Sequence, residues 1–139
     1  MGKVVLDASV VLALFDPEDA LHQPASRVIR DHRQAHAQFV LPATVLAEIL
    51  VGAARRGRDE LETRRNQAVA AFGTPAPVDE EVAVTAAQLR ATHRSLRLPD
   101  ALVLATATAV QADAVLTGDE QWQRIDSRVQ LITSAIAMD

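Results

Sequence analysis

The stretch VVLDASVVLALF, residues 4–15, decides how this chain is read, and its only charge is Asp7. Residues 3–6 form a short apolar, β-branched run of the kind that makes a buried strand. Asp7 follows at once, a position where Asp commonly caps the start of a helix. Working outward, similar short runs recur at 38–41, 75–78, 114–117 and 129–132, with 75–78 the weakest. Longer helical patterns fill the intervals, at 17–37, 44–56, 59–72, 79–94 and 100–112. In the first of these, apolar residues repeat at Leu21, Ala25, Val28 and Ile29, and Pro17 suits a first helical turn. Gly57 and Gly73 stand where helices end on glycine. Strand–helix alternation of this kind predicts one α/β domain over residues 1–139. Its expected form is a three-layer α/β/α sandwich around a central, mainly parallel sheet of about five strands.

Composition narrows the function. Apolar residues make up 49% of the 139 and charged residues 23%, as in ordinary globular proteins. There is no cysteine, which excludes disulfide scaffolds, thiolate zinc sites and cysteine nucleophiles and fits a reducing cytoplasm. No basic leader precedes the first strand, so a signal peptide is not expected, and no apolar run is long enough to span a bilayer. Aromatic residues are only 3%, with no Tyr, which argues against base-stacking platforms. The net charge of −4 argues against a nucleic-acid partner, unless some of the acids are neutralised by bound metal. Thirteen Arg stand against one Lys; Arg suits phosphate through its planar fork, although codon bias gives the same skew.

Three acids are each the only charge in an apolar window: Asp7 in residues 4–15, Glu48 in 45–54 (VLAEILVGAA) and Asp100 in 98–112 (LPDALVLATATAVQA). A carboxylate carried inward costs several kcal/mol unless something pairs with it. No Lys or Arg lies inside these windows. A shared divalent cation is the simplest common partner, because hard ions take oxygen ligands. Asp7 and Asp119 each fall just after a predicted strand, and ligands of open α/β sheets gather at the carboxyl ends of strands. Asp100 falls in the first turn of its helix, where the macrodipole favours an anion. Taken singly, Asp7 and Asp100 also read as helix caps and Asp119 as a turn residue. Glu48 lies inside a helix among Thr44, Val45, Val51 and Gly52, where neither role applies.

The four segments VVLDAS (4–9), LAEI (46–49), LPDALVLATA (98–107) and LTGD (116–119) resemble the signature segments of PIN-domain ribonucleases. Within that family the chain most resembles a VapC-type toxin, in the right order and spacing from residue 3 to about 133. The resemblance implies that Asp7, Glu48, Asp100 and Asp119 are a catalytic quartet binding Mg²⁺ or Mn²⁺, with the hydroxyls of Ser9 and Thr117 in support. It also implies hydrolysis of RNA, a homodimer and a small antitoxin partner whose tail lies across the acidic site. Many relatives carry a further acidic or amide residue two positions after the fourth acid, then an aromatic. Here Gln121 and Trp122 stand there, so the extra charge available to a second ion is missing.

Two basic groups are candidates for RNA contact. Arg90, His93, Arg94 and Arg97 lead up to Asp100 with no interleaved acid, and read equally as contacts to an RNA backbone or as a solvated helix face. Arg55, Arg56, Arg58, Arg64 and Arg65 are interleaved with Asp59, Glu60 and Glu62 and read as a solvated helix face. His32 and His36 have zinc-like i,i+4 spacing without accompanying ligands, and read as packing at the core edge. An aspartate-nucleophile phosphatase or receiver is disfavoured, because the sole Lys, Lys3, precedes Asp7. A catalytically silent PIN-fold module that binds RNA or protein is the remaining alternative.

Overall fold

The computed structural model describes residues 2–134. Four strands, β1 (Lys3–Leu6), β2 (Gln38–Val40), β3 (Ala114–Thr117) and β4 (Val129–Leu131), form a sheet in the order β2-β1-β3-β4. Every pairing is parallel, with Val4 opposite Phe39, Val5 opposite Val115 and Leu116 opposite Gln130. Val4, Val5, Leu6, Val115 and Leu116 are fully or almost fully buried, as expected for central strands covered on both faces. Helices flank the sheet: α1 (Ala8–Phe15), α2 (His22–Gln34), α3 (Ala43–Arg56), α4 (Arg58–Phe72), α5 (Glu80–Thr92) and α6 (Leu98–Ala109). The α/β architecture is as the sequence predicts, with four strands instead of about five.

The missing strand is 75–78. Ala76 makes one parallel bridge to Pro42, accepting from Ala43 N–H at 2.8 Å and donating to Leu41 at 2.8 Å. Pro75 and Pro77 flank it without N–H groups, so the ladder cannot extend. The pattern over 17–37 also resolves differently. The helix there begins only at His22, because Asp16 and Asp19 bind the backbone N–H groups of Glu18 (3.0 Å) and Leu21 (2.8 Å) and hold the chain in turns. Pro24, not Pro17, occupies the first helical turn. The helix ends at Gln34, and His36 lies beyond it, exposed and at φ 61°. His32 meets Gln130 at 3.0 Å while His36 is exposed past the helix end, so packing of both His on one helix face is not found.

Elsewhere the local signals hold. Asp79 caps α5 by accepting from Val82 N–H at 2.9 Å. Gly57 (φ 130°) joins α3 to α4 in a backbone conformation that side chains rarely adopt. α6 begins at Leu98 with Pro99 in its first turn, and Ala101, Val103, Leu104, Ala105, Thr106 and Ala107 are all buried. A helix apolar around most of its circumference belongs in the interior, and α6 packs against β1 and β3. Trp122, on a 3-10 helix at Glu120–Arg124, is the largest fully buried side chain and fills the core as an aromatic plug. Among the described residues, no helix is long and apolar enough to cross a membrane.

Candidate functional site

β1 and β3 are parallel neighbours, so the loops leaving their carboxyl ends emerge side by side. Asp7 leaves β1 and caps α1; Asp119 follows β3 by two residues and caps the 3-10 helix through Gln121 N–H at 2.9 Å. α6 brings Asp100 in its first turn, and α3 brings Glu48. All four acids line one cavity of ≈ 550 Å³ together with Ser9, Leu12, Leu21, Arg97, Gly118 and Glu120.

Asp7 is buried, at 7% exposure, and accepts three hydrogen bonds. Ala8 N–H donates to Oδ1 at 2.8 Å; the hydroxyls of Ser9 and Thr117 donate to Oδ2 at 2.9 and 2.7 Å. The capping and the inward-acid readings are therefore both true of one residue. The same hydroxyls accept in turn: Ser9 Oγ from Gly118 N–H at 3.0 Å, and Thr117 Oγ1 from Asp119 N–H at 3.1 Å. This network ties the two strand ends together and fixes the Asp7 carboxylate without a cation. Hydrogen bonds to a charged group contribute about 1.5–3 kcal/mol each, enough to offset much of the cost of burial.

The remaining acids are less well compensated. Burial pushes the Asp100 carboxyl above its ordinary value; Arg97 pulls it down, and Asp7 and Asp119 push it up again. Partial enclosure also raises Glu48, and the charges of Asp7 and Asp100 add to the shift, while Arg97 opposes it. Glu48 is nevertheless exposed, at the side of the cavity where a second one begins. Carboxylates that raise one another in a cleft mark a candidate functional site.

The donor set suits a hard divalent cation, since every available ligand atom is oxygen. As the side chains stand, no group of three or more His, Cys, Asp or Glu among the described residues is gathered in metal-holding geometry. A cation shared by these acids would need their side chains to draw closer together than they stand.

Of the basic candidates near Asp100, only Arg97 reaches this cavity, its Nε 3.6 Å from Asp100 Oδ2. Arg90 turns instead to the carbonyl of Arg94 at 3.0 Å, and neither these two nor His93 lines the cavity wall. In the other group Arg56 is exposed and paired with the interleaved Glu60 at 3.6 Å, as a solvated face has it, while Arg64 packs against the Phe15 ring at 5.0 Å. Both line a second cavity of ≈ 570 Å³ that shares Leu12 and Glu48 with the first. Nothing in the α4 sequence singles out Arg64, because its partner Phe15 comes from α1.

Comparison with known proteins follows the same lines. The chain is similar in structure to a toxin–antitoxin complex protein from Klebsiella pneumoniae (21% identity, TM-score 0.74, 94% of this chain and 98% of that one). It is also similar to VapBC2 from Rickettsia felis, solved bound to a promoter DNA fragment (12%, 0.76, 94% and 99%). A third likeness is to VapC20 of Mycobacterium tuberculosis, described as a sarcin–ricin loop cleaving toxin (17%, 0.68, 88% and 96%). These likenesses are of fold. No curated protein matches the sequence. The family model for the PIN domain matches residues 4–128, a span that takes in all four acids and the two hydroxyls tying the strand ends together; this chain belongs to the PIN domain family.

Proposed function

We propose that the protein is a metal-dependent endoribonuclease, the toxin of a VapC-type toxin–antitoxin pair, hydrolysing RNA phosphodiester bonds at the acidic cavity with Mg²⁺ or Mn²⁺. The observation that carries this reading is the convergence of Asp7, Glu48, Asp100 and Asp119, from four separate segments, on one cavity where Arg97 is the only basic side chain among the described residues. The family assignment and the RNA-cleaving relative support it.

The chemistry assigns the residues different tasks. Asp7 and Asp100 would hold the main ion, and Asp119 would complete its shell. Bound there, a divalent cation lowers the pKa of a coordinated water and offsets charge on the attacking and leaving oxygens. Ser9 and Thr117 keep the Asp7 carboxylate in one orientation, as partners behind a ligand must. Glu48, exposed at the cavity side and raised in proton affinity, is suited to orienting the attacking water and accepting its proton. In-line attack would leave a 5′-phosphate.

Relatives of this fold are described as toxin–antitoxin complexes, which supports a small antitoxin as partner. A cytoplasmic setting for the pair and a homodimer belong to the same proposal. The test is cleavage of total RNA by the purified protein with Mg²⁺, alongside an EDTA control and Asp7→Asn. Loss of cleavage in both controls, by more than about 100-fold for the variant, is expected; activity unchanged in Asp7→Asn overturns the assignment. A silent module that only binds RNA or protein is the reading favoured by the open spacing of the acids. Binding without cleavage in Mg²⁺ would select it.

A further inference from the structure

Among the described residues, Arg97 is the only basic side chain lining the acid cavity. It is held lightly. Its side chain is 75% exposed, and its 3.6 Å approach to Asp100 is too long for a well-made hydrogen bond. Asp100 is only 14% exposed, but a pair with one partner so open to water and no well-made hydrogen bond is well screened and separates readily. Arg97 sits at the N-cap of α6, three residues before Asp100, so its backbone is fixed while the guanidinium is free to sweep the cavity mouth. Arg128 differs. It makes three hydrogen bonds to Asp126 and one to Thr108, and is committed to the fold.

We propose that Arg97 is an exchangeable counter-ion: it neutralises Asp100 while the acids lack metal, and transfers to a phosphate of the RNA when a divalent cation takes its place. The inference rests on the metal-site reading above. A guanidinium and a divalent cation compete for the same carboxylate charge. Once Asp100 is spent on the ion, Arg97 loses its attraction to the cavity wall. Glu48 and Glu120 still line the cavity. The backbone of an RNA lying over the acids, however, offers phosphates, which the planar fork of Arg fits better than a single carboxylate at its side. One side chain thus weakens metal binding and strengthens substrate binding. A merely structural Arg would do neither.

The test uses the full chain with two probes: Mn²⁺ alone, followed by calorimetry, and a short labelled single-stranded RNA of mixed sequence bound in Ca²⁺ over a range of salt. In Arg97→Gln, Mn²⁺ should bind about fivefold more tightly, the size of one screened exposed charge. The same variant should bind RNA more weakly, and its salt dependence should fall by about one phosphate contact. Arg97→Lys should restore part of both effects. Unchanged or weaker Mn²⁺ affinity, or RNA affinity and salt slope equal to wild type, overturns the exchange. The metal-site reading is judged separately by Asp7→Asn. If wild type binds Mn²⁺ and Asp7→Asn does not, that reading stands whatever Arg97 does; if wild type binds no Mn²⁺, both fall. Because Arg97 is exposed, a melting curve matching wild type is expected for the variant.

Discussion

The turn before β4 and the acid cavity both draw carboxylates out of water, and they treat the charge in opposite ways. In the turn before β4, Asp126 is matched to Arg128, which donates to Oδ2 at 2.6 Å and to Oδ1 through Nε at 3.0 Å. That bonding holds the Asp126 carboxyl below its ordinary range in spite of burial. At the other place four acids share one loosely held Arg97, and Glu48 and Asp100 are pushed upward. An acid kept for stability brings its counter-ion within the chain, two residues away. The acids of the cavity are left without such a match, and the fold tolerates the cost because Asp7 is satisfied by hydroxyls and a backbone N–H.

The contrast can be broken at either place. The largest expected effect, after loss of Asp7 itself, is from Thr117→Val, which removes a buried donor to Asp7 and strands the Asp119 N–H. Mn²⁺ affinity should fall about 10-fold or more. Stability to urea should fall by about 1–3 kcal/mol, and Thr117→Ser should recover most of both. Affinity unchanged by Thr117→Val would mean that the Asp7–hydroxyl network belongs to the fold alone.

Asp126→Ala should show the reverse profile. Unfolding measurements should register a loss of about 1–2 kcal/mol from the hydrogen-bonded pair, while Mn²⁺ affinity stays at the wild-type value. A drop in metal binding there would erase the distinction between the two places.

The smallest effect is the dependence of stability on pH in protein stripped of metal with EDTA. Glu48 and Asp100 bind protons more tightly folded than unfolded, so their contribution is complete below the ordinary values of 4.5 and 3.8 and is lost as pH rises through the raised folded values. Asp126 acts with opposite sign: its contribution is present above 3.8 and lost as pH falls through its lowered folded value. Denaturation across this range should therefore show metal-free protein gaining stability as pH drops from neutrality, then losing it in stronger acid. Exposure of Glu48 keeps the gain modest. The double variant Glu48→Gln, Asp100→Asn should flatten the first limb only; a limb of full size in that variant would refute its assignment to the acid cavity.

Much of this was legible in the chain itself. An isolated Asp directly after a buried strand, a Glu alone inside an apolar helix, and a Pro-Asp pair opening the most buried helix each follow from local rules about capping, periodicity and the cost of unpaired charge. Those rules read neighbours in sequence, and β1, β3, α6 and the four acids are defined by such neighbours. They misjudged 75–78, where two prolines limit pairing to one bridge, and the start of α2, where Asp side chains stabilise turns that periodicity cannot register.

What the sequence alone determined is which residues carry unspent charge and which segments form strands and helices, because these depend on the chain within a turn or two. Only the tertiary structure decided which of nine candidate basic residues meet a cavity, since that depends on how α1, α3, α4 and α6 pack around it. Side chains many residues apart meet through packing, and packing has no local signature.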